Sequence, residues 1–176
     1  MKPTKPNRTK KMTASDIVMT PLEIARQIVG YFKPKGRILE PAKGSGNFLR
    51  VLPFGTNWCE ITEGKDFFDW EDKVDWIITN PPYSIYDIFL KHCFEVSDNV
   101  VLLAPIAKAF KSMKIESLVD KYGGLKEIVL LGGGGRCGFA FGFPVGCLYY
   151  QRGYRGDIKR TVLIDKRTDR VQRNLI

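Results

Sequence analysis

The sequence has little histidine and no cysteine pair of the kind that binds zinc. Of its 176 residues, His92 is the only histidine. The cysteines are Cys59, Cys93, Cys137 and Cys147, and they form no C-x-x-C pair, the spacing typical of zinc sites. These absences exclude a histidine-rich metal centre. Any catalytic triad that contains a histidine would have to use His92. We therefore expect no bound metal, reduced and partly buried thiols, and a cytoplasmic protein.

Long hydrophobic runs are also missing. No apolar stretch approaches the roughly 18–20 residues that a membrane-spanning helix needs, and residues 1–11 are too polar for a signal peptide. We therefore expect no membrane association.

The composition, 44% hydrophobic and 27% charged, is that of an ordinary globular chain, and this length predicts about one domain.

The net charge of +9 is concentrated at the two ends of the chain. Residues 1–11 contain five basic side chains and no acidic one, and residues 152–176 contain eight basic against three acidic. Such ends suit a polyanionic partner, because neutralised phosphates release counterions; solvated tails that only aid solubility are the alternative. The sequence predicts a flexible basic arm over residues 1–13, one domain over 14–165 and a basic tail over 166–176.

Apolar periodicity predicts strands that alternate with helices. The predicted helices are residues 22–32, 86–96 and 112–122, with a brief one at 47–52. The predicted strands are residues 37–40, 57–60, 74–79, 99–103, 127–131, 145–151 and 161–164. This order indicates an α/β fold with a mainly parallel sheet. Because no helix separates the last two β segments, we expect them to form an antiparallel hairpin at one edge.

The loops after the first two predicted strands carry residues suited to a ligand, and ligands of such sheets bind beyond the carboxyl ends of the strands. In the loop E-P-A-K-G-S-G-N-F at residues 40–48, Gly44 and Gly46 let the backbone turn tightly. Glu60 ends the second strand, where a carboxylate can accept both hydroxyls of a ribose. Asp66-Phe67 can hydrogen-bond to and pack against a purine. An ordinary turn and an exposed acid are the alternatives.

The strongest signal is Asn80-Pro81-Pro82-Tyr83, directly after the predicted strand at 74–79. Two consecutive prolines stiffen the backbone and remove two N–H donors. Asn80 Oδ1 and the Pro81 carbonyl would accept the two hydrogens of an exocyclic NH2 group, and Tyr83 would stack on the attached ring. A proline-stiffened loop without a catalytic role is the alternative.

These motifs resemble those of the class I S-adenosylmethionine-dependent amino-methyltransferases, specifically the DNA adenine-N6 group. Asn80-Pro81-Pro82-Tyr83 matches that group's catalytic (D/N/S)-P-P-(Y/F) signature, residues 40–48 look like its cofactor loop, and Thr20-Pro21 is similar to an additional cofactor motif. The resemblance covers roughly residues 16–151 and implies a Rossmann-like fold that lacks some helices. The cofactor-binding residues that it implies are Thr20, Pro21, Glu40, Pro41, Ala42, Gly44, Gly46, Asn47, Phe48, Glu60, Asp66 and Phe67.

Two departures from the family pattern concern the cofactor region. Lys43 stands where the family usually has a small or uncharged residue. Only five residues separate Glu60 from Asp66, so a helix that is usual between those strands must be missing.

The resemblance implies transfer of a methyl group from S-adenosylmethionine to adenine N6 in DNA, with the target base flipped out or single-stranded. RNA adenine, a protein glutamine amide, and an inactive nucleic-acid-binding subunit are the alternatives. No segment is long enough for a separate target-recognition domain, so we expect low sequence selectivity or a separate specificity subunit.

The glycine run at residues 132–135 lacks the G-K-[ST] ending of a phosphate-binding loop. We expect it to border the target pocket, with Arg136 and Phe139 touching nucleic acid; a plain connection into the last strands is the alternative. The basic residues predicted to contact nucleic acid further along the chain are Arg152, Arg155, Lys159 and Arg160.

Overall fold

The computed structural model describes residues 18–140 and 142–163, so the predicted basic arm at 1–13 and basic tail at 166–176 lie outside the described residues. The helices are α1 (Leu22–Phe32), α2 (Tyr86–Val96) and α3 (Met113–Tyr122). The strands are β1 (Ile38–Glu40), β2 (Asn57–Trp58), β3 (Val74–Thr79), β4 (Ser97–Pro105), β5 (Gly123–Gly133), β6 (Pro144–Arg152) and β7 (Lys159–Val162).

The seven strands form one sheet in the order β2-β1-β3-β4-β6-β5-β7. All neighbouring pairs are parallel except those of β6, which is antiparallel to both β4 and β5. The predicted α/β fold with a mainly parallel sheet is therefore confirmed.

The predicted pairing of the last two β segments as an edge hairpin is wrong. The antiparallel hairpin consists of β5 and β6, and β6 lies inside the sheet. Because β4 and β5 occupy both edges of β6, β7 pairs with β5 instead, in the parallel direction.

Both faces of the sheet are covered, and each face has its own apolar core. Along β4, Val100 and Leu102 contribute to the core under α2 and α3, whereas Val101 and Leu103 contribute to the core under α1. This alternation follows from the two-residue period of side chains along a strand. The central strands are consequently apolar on both faces, as in other sheets with helices on both sides.

The connections around β2 contain less regular structure than the sequence predicts. Residues 47–52 form consecutive turns and not a brief helix, and β2 has two residues where four were predicted. Gly46 and Pro53 bound the segment, so it has too few residues for a stable helix. No α-helix lies between β1 and β3 in this described part of the chain, in agreement with the expected fold that lacks some helices.

Within the described ranges, no helix has both the length and the apolar character to cross a bilayer.

Candidate active site at the carboxyl edge of the sheet

The segment before α1 meets the loops that follow β1 and β3 in a small cleft. The predicted site residues that line it are Thr20, Ala42, Gly44, Asn47, Phe48 and Asn80, and its volume is about 30 Å³. Parallel strands bring their carboxyl ends to the same edge of a sheet, which explains why residues 18–20, 42–48 and 80 meet there.

Two amide side chains hold the segment at residues 18–20 across the cleft. Asn80 Nδ2 donates to the Val18 carbonyl (2.9 Å), and Asn47 Nδ2 donates to the Thr20 carbonyl (2.8 Å). Met19 lies over Gly44, which has a φ of 50°, and a Cβ atom added there would lie 3.0 Å from the methionine sulfur. Conformation and space therefore both favour glycine at position 44.

The Asn80 side chain presents a buried acceptor to the cleft. Its Nδ2 atom is used by the Val18 carbonyl, but its Oδ1 atom is buried and has no hydrogen-bond partner among the residues that the structure describes. Pro81 and Pro82, both buried, fix the turn that carries it. A buried acceptor without a partner is costly, so this oxygen is a candidate ligand-binding atom.

Tyr83 follows the two prolines and opens a short 3-10 turn, Tyr83–Ile85. Its ring is partly buried against the core under α2, and burial raises the pKa of its phenol. Its carbonyl accepts a hydrogen bond from Lys108 Nζ (2.8 Å), which comes from the turn after β4. The tetrapeptide at residues 80–83 is thus tied to the next loop along the sheet edge. No feature of the sequence indicated this role of Lys108.

Glu40 is the most buried acid of the site, with no exposed surface. Its Oε1 atom accepts a hydrogen bond from the Ala42 amide (3.0 Å), while Oε2, like the neighbouring Thr79 hydroxyl, has no partner of ordinary geometry in the described part of the chain. Burial raises the pKa of Glu40 to about 8, although Thr79 and the Ala42 amide act in the opposite direction. The site therefore contains a carboxyl group that is protonated at neutral pH.

Glu60 ties the glycine loop to the segment after β2. Its Oε2 atom accepts from the Gly44 amide (2.8 Å), and its Oε1 atom accepts from the Thr62 amide and hydroxyl. Partial burial raises the pKa of Glu60, but these hydrogen bonds outweigh it and hold the pKa below its ordinary value. Both oxygens thus have partners within the chain, and the ribose contact of Glu60 stays a prediction.

The other predicted purine contacts lie outside the cleft. Asp66 Oδ1 accepts a hydrogen bond from the Phe68 amide. Phe67 is 4% exposed, and its ring packs against Phe89 and His92, with centroids 4.8 and 4.6 Å apart. His92 Nε2 lies 3.0 Å from the Phe67 carbonyl. Phe67 is therefore a core residue in this structure.

Three more residues of the predicted cofactor motifs have structural contacts at this edge. Pro41 is buried after β1, Gly46 has a φ of 79°, and Pro21 approaches Gly138 of the loop before β6. Lys43, the residue that departs from the family pattern, forms an ion pair with Glu63. None of these contacts tests a role in cofactor binding.

The predicted nucleic-acid contacts separate into two groups, because only Arg136 and Phe139 lie at the carboxyl edge of the sheet. Arg136 is exposed there. Phe139 is only 6% exposed and belongs to the core under α1 in this structure, and its contact with nucleic acid stays a prediction.

Arg152 and Arg155 lie at the other end of the sheet, where the parallel strands begin, because β6 runs antiparallel and ends there. Arg152 bonds to Asp98 and to carbonyls at the end of α2. Arg155 donates to the Asp120 and Gly123 carbonyls at the end of α3. Both side chains stabilise helix ends, and their role in nucleic-acid binding stays a prediction.

The two basic residues of β7 lie near the same end of the sheet, because β7 begins there. Lys159 Nζ lies 3.0 Å from the Glu127 carboxylate and donates to the Tyr31 hydroxyl. Arg160 is exposed on this outer strand.

In the described ranges, no cluster of three or more potential ligands could hold a metal ion.

No protein-family model and no curated sequence matches the chain. Solved structures do: a modification subunit of a putative type I restriction enzyme from Vibrio vulnificus matches with a TM-score of 0.62 and 17% identity, over 81% of this chain and 46% of its own. The type I restriction-modification methyltransferase subunit from Streptococcus thermophilus matches with a TM-score of 0.63 and 13% identity, over 89% and 52%.

A third structure is smaller. A putative class I S-adenosylmethionine-dependent methyltransferase from Listeria monocytogenes matches with a TM-score of 0.58 and 14% identity, over 86% of this chain and 67% of its own. The chain thus spans about half the length of the two type I subunits. The resemblance in the sequence and these similarities agree: the chain has the Rossmann-like fold of the class I S-adenosylmethionine-dependent methyltransferases.

Proposed function

We propose that the chain transfers a methyl group from S-adenosylmethionine to the N6 amino group of adenine in DNA. The observation that carries this proposal is the buried Oδ1 atom of Asn80, a residue that lines the cleft; this atom has no partner among the described residues. The methyltransferase fold and the match of residues 80–83 to an amino-methyltransferase signature support it.

The residues after β1 suit the methionine end of this cofactor. Gly44 lets the backbone approach a ligand closely. The positive charge of an ammonium group would favour the ionised form of Glu40, whose Oε2 could then accept a hydrogen bond from it. The cleft of about 30 Å³ is smaller than the cofactor, so binding requires the segment around Met19 to move outward. When bound, S-adenosylmethionine supplies an electrophilic methyl group on a positively charged sulfur.

Asn80 and its neighbours would prepare the acceptor nitrogen. The lone pair of adenine N6 is delocalised into the ring, which makes the amino group a poor nucleophile. Hydrogen bonds from N6 to Asn80 Oδ1 and to the Pro81 carbonyl favour a pyramidal nitrogen whose lone pair points at the methyl carbon. The N6–C bond then forms as the carbon–sulfur bond breaks, and a proton leaves N6 to water. This is alignment and electrostatic stabilisation, with no covalent enzyme intermediate.

The test is methyl transfer from labelled cofactor to mixed DNA, RNA and protein, followed by mass spectrometry of the products. We expect N6-methyladenine in DNA and a loss of at least about 100-fold in Asn80→Ala, as for other single preorganised groups. Cofactor affinity, measured by calorimetry, should stay nearly unchanged in that variant. The matched control is Asn57→Ala on the outer strand β2, which should transfer normally.

Other results of the same experiment would assign a different function. Label in RNA adenine or in glutamine would change the acceptor, and full activity of Asn80→Ala would refute the catalytic role of the asparagine. Absence of both transfer and cofactor binding would favour an inactive nucleic-acid-binding subunit.

We further propose that the chain acts in the cytoplasm and that sequence selectivity, if high, comes from a separate subunit.

A further inference from the structure

The turn after β4 carries a lysine that reaches the tetrapeptide at residues 80–83. This residue, Lys108, is half-buried and ends the short 3-10 turn Ile106–Lys108. Its Nζ atom donates a hydrogen bond to the Tyr83 carbonyl (2.8 Å) and lies 6.0 Å from the centroid of the Tyr86 ring. None of the proposed steps of methyl transfer uses this side chain.

The two segments that this bond joins are each held in the fold by other residues. Ala109, the neighbour of Lys108, is buried in the core under α2. Ile85 and Tyr86, which follow Tyr83 closely, are buried in the same core. Because each segment has its own buried anchor, the bond from the lysine mainly fixes the position of one segment relative to the other.

The tetrapeptide is restricted along its length and held at both ends. Its two prolines restrict the backbone between the ends. At the first residue, Asn80 Nδ2 donates to the Val18 carbonyl (2.9 Å). At the last residue, the Tyr83 carbonyl accepts from Lys108, and a charged donor makes a stronger hydrogen bond than a neutral one. The lysine therefore completes the support of the segment that carries the proposed acceptor atoms.

We infer that Lys108 is a positioning residue for methyl transfer, which acts through the Tyr83 carbonyl on the placement of the tetrapeptide. This inference rests on the proposed function. The atoms placed in this way are Asn80 Oδ1 and the Pro81 carbonyl oxygen. Such groups must be held to within about 0.5 Å by supporting contacts, and a displacement of about 1 Å can lower the rate about 100-fold. The described residues that line the cleft do not include Lys108, so its removal should affect turnover and not cofactor binding.

Kinetics of methyl transfer to DNA test this role. Lys108→Met keeps a side chain of similar length but removes the donor, and we expect kcat to fall by at least about tenfold with the KM for S-adenosylmethionine unchanged. Lys108→Arg supplies a charged donor again and should recover most of the wild-type kcat. The matched control is Lys111→Met, the same change at an exposed position in the same loop, which should transfer normally.

This kinetic pattern separates positioning from a purely structural role. A structural role would reduce the amount of folded protein and leave kcat per cofactor-binding site unchanged. Calorimetry with S-adenosylmethionine counts those sites in each variant. Lys108→Ala, a second variant without the donor, should show the same loss of kcat and provides the test if Lys108→Met does not fold.

A nuclear magnetic resonance measurement examines the contact without any methyl transfer. Tyr83-Ser84 is the only Tyr-Ser pair in the sequence. Labelling tyrosine with carbonyl carbon-13 and serine with nitrogen-15 therefore gives one signal, from the peptide group whose oxygen accepts the bond. We expect the carbonyl chemical shift to change in Lys108→Met, to return toward the wild-type value in Lys108→Arg and to stay unchanged in Lys111→Met.

Normal kcat in Lys108→Met would overturn the inference and leave the proposed function intact. An unchanged carbonyl shift in that variant, or equal losses of kcat in Lys108→Met and Lys108→Arg, would also overturn it. Absence of transfer by the wild type to any acceptor would contradict the proposed function and, with it, this role of Lys108.

Discussion

The side chain of Glu40 shows how the fold changes the chemistry of a single residue. A carboxyl group at the end of a central strand is fully buried, and only one of its oxygens has a hydrogen-bond partner in the described part of the chain. Burial disfavours the charged form, which raises the pKa of Glu40 from its ordinary 4.5 to about 8. The protein thus keeps a neutral carboxyl beside the glycine loop at neutral pH.

This raised pKa predicts how Glu40→Gln alters the pH dependence of stability. The folded state holds a proton on Glu40 that the unfolded state releases above pH 4.5, so the group's contribution to stability falls as pH rises from about 4.5 to about 8. The neutral, similarly shaped glutamine removes this dependence, on the order of a few kcal/mol across that interval. Urea denaturation at several pH values measures it.

The control for this experiment is Glu71→Gln, an exposed acid in the turn before β3. It should retain the pH dependence of the wild type. A Glu40→Gln profile as steep as that of the wild type would show that Glu40 ionises normally in the folded protein.

The residues of the site differ in how far sequence could predict them. Asn80 was predicted because its chemistry depends on its own amide and on the two prolines that follow it. The partner of that amide, the Val18 carbonyl, lies 62 residues earlier in the chain, and no local pattern indicates such a contact. Phe139 was assigned to the surface from its place in a glycine-rich segment, whereas packing under α1 buries it.

Among the elements, the glycine loop and the segment at residues 18–20 depend on each other. Gly44 has a left-handed φ of 50°, and the sulfur of Met19 occupies the space that a side chain there would need. Gly44→Ala should therefore lower the free energy of unfolding by about 1–2 kcal/mol and weaken cofactor binding. Urea denaturation and calorimetry measure the two effects. Gly55→Ala, also at positive φ but with open space around it, should lower stability alone.

Besides its backbone pairing with β5, the outer strand β7 is bonded to the sheet through one buried carboxylate. Glu127 on β5 accepts hydrogen bonds from Tyr31 of α1 and Thr161 of β7, and it pairs with Lys159. Burial raises the pKa of Glu127, but these three partners outweigh it and hold the pKa below its ordinary value. The carboxylate thus joins a helix and two strands.

We expect Glu127→Gln to destabilise the protein by about 1–2 kcal/mol at neutral pH. Because the folded-state pKa is lowered, the stabilisation is present above the ordinary carboxyl pKa and is lost as pH falls through the folded-state value. The gap between variant and wild type in urea denaturation should therefore shrink in acid. Tyr31→Phe, which keeps the charge, should cost less; a gap that stays constant in acid would contradict the role of the carboxylate.

Elements were predicted more accurately than their arrangement. The 3.6-residue period located α1 and α2 with the observed bounds, because each helix buries one apolar face. The position of β6 between β4 and β5 could not be derived in this way, since a strand with two apolar faces fits any interior place in the sheet. The pairing depends on contacts between residues about 50 positions apart, such as Val101 with Tyr149.

At the scale of the whole molecule, the two apolar cores are parts of one cooperative structure. The strands β3, β4 and β6 contribute alternate side chains to both faces, so neither core can be lost while the sheet survives. Cys93 lies in the core under α2, and Cys147 lies in the core under α1; both are fully buried. Burial also raises the pKa of both thiols, which makes them unreactive in the folded state.

These two cysteines therefore report separately on the two faces of the sheet. We expect alkylation by iodoacetamide, followed peptide by peptide with mass spectrometry, to be negligible for both thiols in buffer. In urea, both should become reactive with the same midpoint, because loss of the shared strands exposes both cores at once. Cys59, which follows the two-residue strand β2 at the sheet edge, should react at lower urea through local opening. Distinct midpoints for Cys93 and Cys147 would show that the two faces unfold independently and that the sheet does not couple them.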